Sequence, residues 1–195
     1  SAELKAQLDA MTGVVSQKSF GITETLLCCH WDDAMDTPPE AVGRVVPGVQ
    51  IVVVDTAEKP VAAGEEGELR IGGAWLMDGY WNQPELHAGT FDANGFFITG
   101  DLARLDAHGH VFITGRIKDM IKCGGLNVYP IEVEQMLTRL PAVQEAAVLG
   151  VPDPFYGERI IAFVTLAAGA TLAGQDAIAF CRQHLTAQKV PSDVR

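Results

Sequence analysis

Apolar positions along this chain recur first at strand spacing and later at mixed spacing, and the change divides the sequence. Residues 1 to about 12 are predicted as a helix with Leu4, Leu8 and Met11 on one face, followed by a short strand at Val14-Val15-Ser16. From Gly43 to Thr114 the pattern is strand-like, with predicted strands at Val49 to Val54, Glu68 to Ile71, Phe96 to Ile98, Leu102 to Leu105 and Val111 to Thr114. Asp92-Ala-Asn-Gly95 and Asp106-Ala-His-Gly109 punctuate the later strands as turns. Such a series predicts a compact antiparallel, barrel-like subdomain. After Arg116 the order becomes mixed α/β. Val133, Met136, Leu137 and Leu140 repeat at helical spacing over Ile131 to Leu140, and Pro141 ends that helix. Val143 to Val151 and Ile160 to Leu166 are apolar enough to be buried strands, joined by Pro152-Asp-Pro-Phe-Tyr-Gly157, and a last helix spans about Gln175 to Leu185. Two domains meeting near Lys118 are expected.

Composition changes this picture little. The 195 residues have room for one large domain or two small ones, and 48% apolar with 20% charged residues is ordinary globular composition. A net charge of −11 opposes binding to nucleic acid or to anionic lipid, so neither partner is expected. No uninterrupted apolar run approaches the roughly 20 residues that span a bilayer, and the first residues do not read as a signal peptide. A soluble, cytoplasmic protein is the expectation. Cys28, Cys29, Cys123 and Cys181 show no C-x-x-C spacing, and the adjacent Cys28-Cys29 pair is poor geometry for a bridge, so reduced thiols are expected. His108 and His110 flank a predicted turn and are read as surface residues with no metal role.

Chemistry concentrates at Gly115 to Glu134, GRIKDMIKCGGLNVYPIEVE. A strand runs into Gly115-Arg116, the charged Lys118-Asp119 pair follows, and Gly124-Gly125 permits positive φ. Pro130 suits a first helical turn, where its missing N–H has no partner, and Glu132 and Glu134 favour the positive helix start. Taken one residue at a time this is a strand, a glycine turn and a capped helix. Upstream stand Ser19-Phe-Gly-Ile-Thr-Glu-Thr25, Gly67-Glu-Leu-Arg-Ile-Gly-Gly73, Gly79-Tyr-Trp-Asn-Gln-Pro-Glu85 and Thr99-Gly100-Asp101. Each alone has a plain structural reading: Thr23 and Glu24 as a capping pair before Leu26-Leu27, Asp101 as a turn-capping Asp, Arg116 as an exposed strand-end cation, and Lys118 and Lys122 as a solvated edge.

Together, and in this order, these stretches closely resemble the signatures of the adenylate-forming acyl-CoA synthetase family, whose junction motif reads GRxKDxIxxxGxNVxPxEVE. The resemblance covers nearly the whole chain. It implies a mixed α/β fold in which residues 1–115 form the antiparallel, barrel-like end of a large N-terminal AMP-binding domain. Residues 116–195 would be a small mobile α+β C-terminal domain. It implies ligation of a small-molecule carboxylic acid to CoA at the expense of ATP, through an acyl-adenylate, with release of AMP and pyrophosphate. Thr23 would donate its hydroxyl to the phosphate and Glu24 would help hold Mg²⁺, a hard ion that takes oxygen ligands. Phe20 would lie beside the adenine with Gly21 at the edge of the acyl pocket, while Lys18 and Ser19 depart from the family's usual Gln-Gly. Asp101 would accept from the ribose hydroxyls, Arg116 would complete the ribose and phosphate contacts, and Lys122 matches a lysine that contacts the adenylate in some relatives. Lys118 matches the hinge residue, and Gly124 and Gly125 would lie beside the pantetheine arm of CoA.

Complete relatives carry a phosphate loop upstream and an adenylation lysine in a Gly-Lys motif beyond Lys189, so the resemblance implies a fragment that is inactive by itself. Two rivals stay open. One is an amino-acid-activating domain of a peptide synthetase, although Ile22 and Asn127-Val-Tyr-Pro130 look more like stand-alone CoA ligases. The other is a non-catalytic module for protein contacts. Fatty, aryl and short branched acids all satisfy the same motifs, and oligomeric state leaves no mark in the sequence.

Overall fold

The computed structural model describes residues 2–31 and 37–195, with side chains described from residue 5 onward. The chain forms two compact units, Ser1–Thr114 and Gly115–Arg195. Both are mixed α/β with mostly antiparallel sheets.

The first unit begins with α1 (Ala2–Thr12), and its strands are β1 (Ser19–Ile22), β2 (Leu26–His30), β3 (Gly43–Val45), β4 (Val49–Val54), β5 (Glu66–Gly73), β6 (Phe97–Leu105) and β7 (His110–Arg116), with a short α2 (His87–Thr90) before β6. The sheet order is β1-β2-β3-β7-β6-β5-β4. It is an open seven-stranded sheet, not a closed barrel, with β1 and β4 at opposite ends. Its core gathers Cys28, Cys29, Val53, Leu69, Ile71, Ala103 and Val111. Strand β5, next to the edge strand β4, is covered on both faces: Leu69 and Ile71 point one way into the core, while Arg70 points the other and is also buried.

Several sequence expectations are corrected here. Val14-Val15-Ser16 is not a strand; both valines are exposed, and the Ser16 N–H instead donates to Asp9 Oδ1 at 2.6 Å. The hydrogen bond from Lys5, joined by that from Ser16, lowers the Asp9 carboxyl pKa to about 2. Of the predicted apolar face of α1, Leu8 and Met11 are exposed, and Ser1 and the Leu4 side chain lie outside the described residues. The two strands expected at Phe96 to Ile98 and Leu102 to Leu105 are one continuous strand, β6. His110 is buried, not a surface residue: its ring Nδ1 lies 2.9 Å from Asp106 Oδ2 as the chain turns inward to begin β7. The turn itself is as expected, with Asp106 Oδ1 accepting from the His108 and His110 N–H groups, while His108 stays exposed.

In the second unit, β8 (Ile121–Cys123), β9 (Leu126–Val128), α3 (Pro130–Leu137), β10 (Val143–Asp153), β11 (Gly157–Leu166), α4 (Gly174–His184) and β12 (Asp193–Val194) follow in order. The sheet runs β10-β11-β8-β9, with β12 added parallel to β11. The α3 and α4 residues Val133, Leu137, Ala177, Ile178 and Cys181 pack with Ile121, Val128, Val148, Ile160, Ala162 and Val194 of the sheet into one core. Pro130 occupies the first turn of α3 as its chemistry requires. The helix stops before the expected Leu140, because the last turn tightens, with the Leu140 N–H donating to the Leu137 carbonyl. Leu140 still packs on the core, which is why its spacing looked helical. The β10–β11 loop shrinks from the expected six residues to Pro154-Phe155-Tyr156, since Asp153 pairs with Gly157 and Asp153 Oδ1 accepts from the Phe155 and Tyr156 N–H groups.

Candidate nucleotide site

In the first unit the predicted residues sit on two supports. Phe20 and Gly21 lie on β1, and Thr23 and Glu24 form the apex of the β1–β2 hairpin, closed by the Thr25 N–H donating to the Ile22 carbonyl at 3.2 Å. Gly21 is glycine for a steric reason: a Cβ there would stand 2.1 Å from the Leu26 carbonyl oxygen. That close approach, at a register shift between Phe20 and Gly21, throws the hairpin apex out of the regular ladder. Leu26 adopts φ +56°, a left-handed conformation that costs a leucine about 1 kcal/mol or more. Below the apex, Thr25 is buried, with its hydroxyl 2.8 Å from Cys28 Sγ, so the turn is anchored from inside while Thr23 stays exposed. Phe20 is half-buried and packs against the sheet core.

Asp101 rides on the second support, β6. Arg70 of β5 pairs with Ile98, and Glu68 pairs with Leu102, so Thr99-Gly100-Asp101 faces the single residue Leu69. The expected turn is therefore a bulge inside a strand, a device that re-aims a side chain without ending the sheet. Gly100 takes φ +70° there, with open space where a Cβ would be, so conformation and not crowding selects glycine. Three hydrogen bonds fix the bulge. Thr99 Oγ1 donates to the Leu69 carbonyl at 2.7 Å, the Asp101 N–H donates to Thr99 Oγ1 at 2.9 Å, and the Gly100 N–H donates to Glu68 Oε1 at 3.2 Å. Asp101 itself is buried.

Glu68 in turn faces Arg70, whose Nη1 lies 2.7 Å from Glu68 Oε1, with Glu58 and Asp92 carboxylates at 3.7 and 4.0 Å from the guanidinium. The Nη1 proton is not directed along that short line, so the contact is an ion pair more than a hydrogen bond. Sequence reasoning singled out neither Glu68 nor Arg70. Their alternation on one face of β5 was the available signal.

The two supports are separated in the sheet by β2, β3 and β7, and β1 and β6 are not neighbours. Lys18, where the family usually has Gln, turns away from the apex: its ammonium donates to the Pro39 carbonyl and stands 5.9 Å from the Trp31 ring. A third residue missed by sequence reasoning is Tyr80. Its hydroxyl donates to Glu24 Oε1 at 2.7 Å, and this bond raises the phenol pKa.

In the second unit the remaining predicted residues lie in one short run. Arg116 is exposed at the end of β7, Lys118 is exposed within a one-turn 3₁₀ helix, Ile117–Asp119, and Lys122 is exposed on β8. The Lys122 N–H donates to Glu158 Oε2 at 2.6 Å. Gly124 and Gly125, with φ of +58° and +81°, form the two-residue turn from β8 to β9, and the Gly124 N–H donates to the Tyr156 carbonyl at 2.9 Å. Among the described residues all four cysteines are free thiols, and burial pushes the Cys29 thiol up to about 12. No group of three or more His, Cys, Asp or Glu positioned to hold a metal occurs among the described residues. No helix among them is long and apolar enough to cross a membrane.

Comparison with known proteins gives the family. A model of the AMP-binding enzyme family matches residues 1–81, and a model of the AMP-binding enzyme C-terminal domain matches residues 132–195. The chain belongs to this adenylate-forming, AMP-binding enzyme family. A 7a-methyl-1,5-dioxo-octahydro-indenyl-propanoyl:CoA ligase of Rhodococcus jostii is 42% identical over 179 residues, 91% of this chain and 33% of that protein. A long-chain-fatty-acid–CoA ligase of Bacillus subtilis is 35% identical over 194 residues, 97% of this chain and 34% of that protein. Among solved structures, ATP-bound MatB from Rhodopseudomonas palustris is similar with a TM-score of 0.93 at 36% identity, over 99% of this chain and 39% of that one. The chain spans about a third of the length of the curated relatives it matches.

Proposed function

We propose that the chain forms part of an AMP-forming acid–CoA ligase, which activates a carboxylic acid with ATP and passes the acyl group to CoA. Residues 1–115 belong to the large AMP-binding domain, and residues 116–195 are the small mobile one. The observation that carries this is the family match at both ends of the chain, residues 1–81 and 132–195.

Adenylation brings two anions together, so the site must screen phosphate charge and hold the reactants in line. On this proposal Thr23 donates its exposed hydroxyl to the phosphate. Glu24 suits a hard cation: Oε1 accepts from Tyr80, and among the described residues no protein group bonds Oε2. With no ligand trio among the described residues, Mg²⁺ at Glu24 would complete its shell with phosphate oxygens and water, as this ion commonly does. When bound, it neutralises phosphate charge. Phe20 lies beside the adenine with Gly21 at the edge of the acyl pocket, Asp101 accepts from the ribose hydroxyls, and Arg116 adds a planar, permanently charged donor set to ribose and phosphate. Lys122 contacts the adenylate. Lys118 is the hinge, and Gly124 and Gly125 leave passage for the pantetheine arm of CoA. The bulge that fixes Asp101 and the exposed apex that carries Thr23 support these roles, since both present polar groups from rigid sheet positions.

A pyrophosphate-release screen of the intact protein against fatty, aryl and short branched acids, with and without CoA, tests the proposal. Acid-dependent release of pyrophosphate with formation of an acyl-CoA is expected. Thioester formation without AMP, or no release with any acid, would remove it.

A further inference from the structure

The loop after β5 holds the Thr23-Glu24 apex at two points. The Met77 N–H donates to the Glu24 carbonyl at 2.9 Å, and the Tyr80 hydroxyl donates to Glu24 Oε1 at 2.7 Å. The residues joined are 56 apart in sequence, so the contact is tertiary and not a local turn. Tyr80 is 41% exposed and therefore is not held there by burial of its ring. An exposed hydroxyl facing water would gain little from any particular acceptor, since solvent competes for it. Here it is directed at one oxygen of a carboxylate whose other oxygen is bonded by no protein group among the described residues.

We propose that Tyr80 is a positioning residue for Glu24: by donating to Oε1 it fixes the carboxylate rotamer and turns Oε2 toward a divalent cation. This rests on the proposal that Glu24 helps hold Mg²⁺. Partners of this kind, which orient a ligating group without touching the ion, commonly change metal affinity by about 10- to 100-fold when removed.

The test uses the intact protein with ATP and Mn²⁺, without acid or CoA, and follows binding of the Mn²⁺–ATP complex by electron paramagnetic resonance. Tyr80→Phe removes only the hydroxyl and keeps the ring. It is expected to weaken Mn²⁺–ATP binding by about tenfold, with metal-free ATP binding and the melting curve unchanged. Glu24→Ala should weaken it at least as much, and Tyr80→Phe in the Glu24→Ala background should add nothing. In turnover, Tyr80→Phe should raise the Mg²⁺ concentration needed for half-maximal rate while leaving the rate at saturating Mg²⁺ within about twofold. A structural defect would lower both. If Glu24→Ala weakens metal binding and Tyr80→Phe does not, or if the two losses add, the role given to Tyr80 is wrong. If Glu24→Ala leaves metal binding unchanged, the metal role of Glu24 fails first and the role of Tyr80 goes with it.

Discussion

At the scale of single residues, the nucleotide-site candidates depend on neighbours that carry no chemistry of their own. Asp101 is set by Thr99 Oγ1 and by Glu68, and Glu68 is set by Arg70, a buried cation among three carboxylates. Arg70→Met would leave Glu68 and Asp92 facing each other without a counter-charge. Breaking a buried pair from one side costs about 3–5 kcal/mol, so chemical denaturation should register a loss of that order, with part recovered in the Arg70→Met, Glu68→Gln double variant. A loss well under 1 kcal/mol would mean the cluster is too well hydrated to matter. None of this was legible in the sequence. Glu68 and Arg70 read as alternate positions on a strand, and the partner that gives them meaning lies across the sheet, 32 residues away at Gly100. His110 misled for a related reason. The Asp106 turn is a local signal and was visible, whereas the inward face taken by the next residue depends on register.

At the scale of elements, legibility followed length and local turn chemistry. The long apolar strands, α4, the Pro130 start of α3 and both Asp-x-x-Gly turns could be read from the chain. The short strands β2, β3, β8, β9 and β12 could not. In β2, exposed Leu26 and Leu27 precede buried Cys28 and Cys29, so no alternation marks it as a strand. The bulge in β6 is likewise invisible, because Thr-Gly-Asp has the composition of a turn and only pairing with β5 keeps it in a sheet. The one-turn helix Ile117–Asp119 links β7 to β8 through exposed residues, which suits a segment whose torsions change at small cost in buried surface. Lys118→Pro fixes φ there and should impair thioester formation far more than adenylation. Separate assays of pyrophosphate release and acyl-CoA formation check this, and equal loss in both would remove Lys118 as the hinge.

At the scale of the whole molecule, two compact units with separate cores share one chain, and each holds a different part of the proposed chemistry. The first offers oxygen donors and acceptors on sheet supports, and the second offers cations and a glycine turn in one short run. The motifs proposed for each unit could be picked out because each is contiguous in sequence. Which residues beyond the motifs tune the site was not legible, since Tyr80 reaches Glu24 only through the fold. The nucleotide site proposed for the first unit requires Asp101 to meet the ribose. ATP–pyrophosphate exchange by the intact protein carrying Asp101→Ala tests that most directly. Loss of charge-assisted hydrogen bonds to both ribose hydroxyls should lower the apparent kcat/KM for ATP by about 10- to 100-fold with the fold intact. Exchange at the unaltered rate and the same KM for ATP would contradict it.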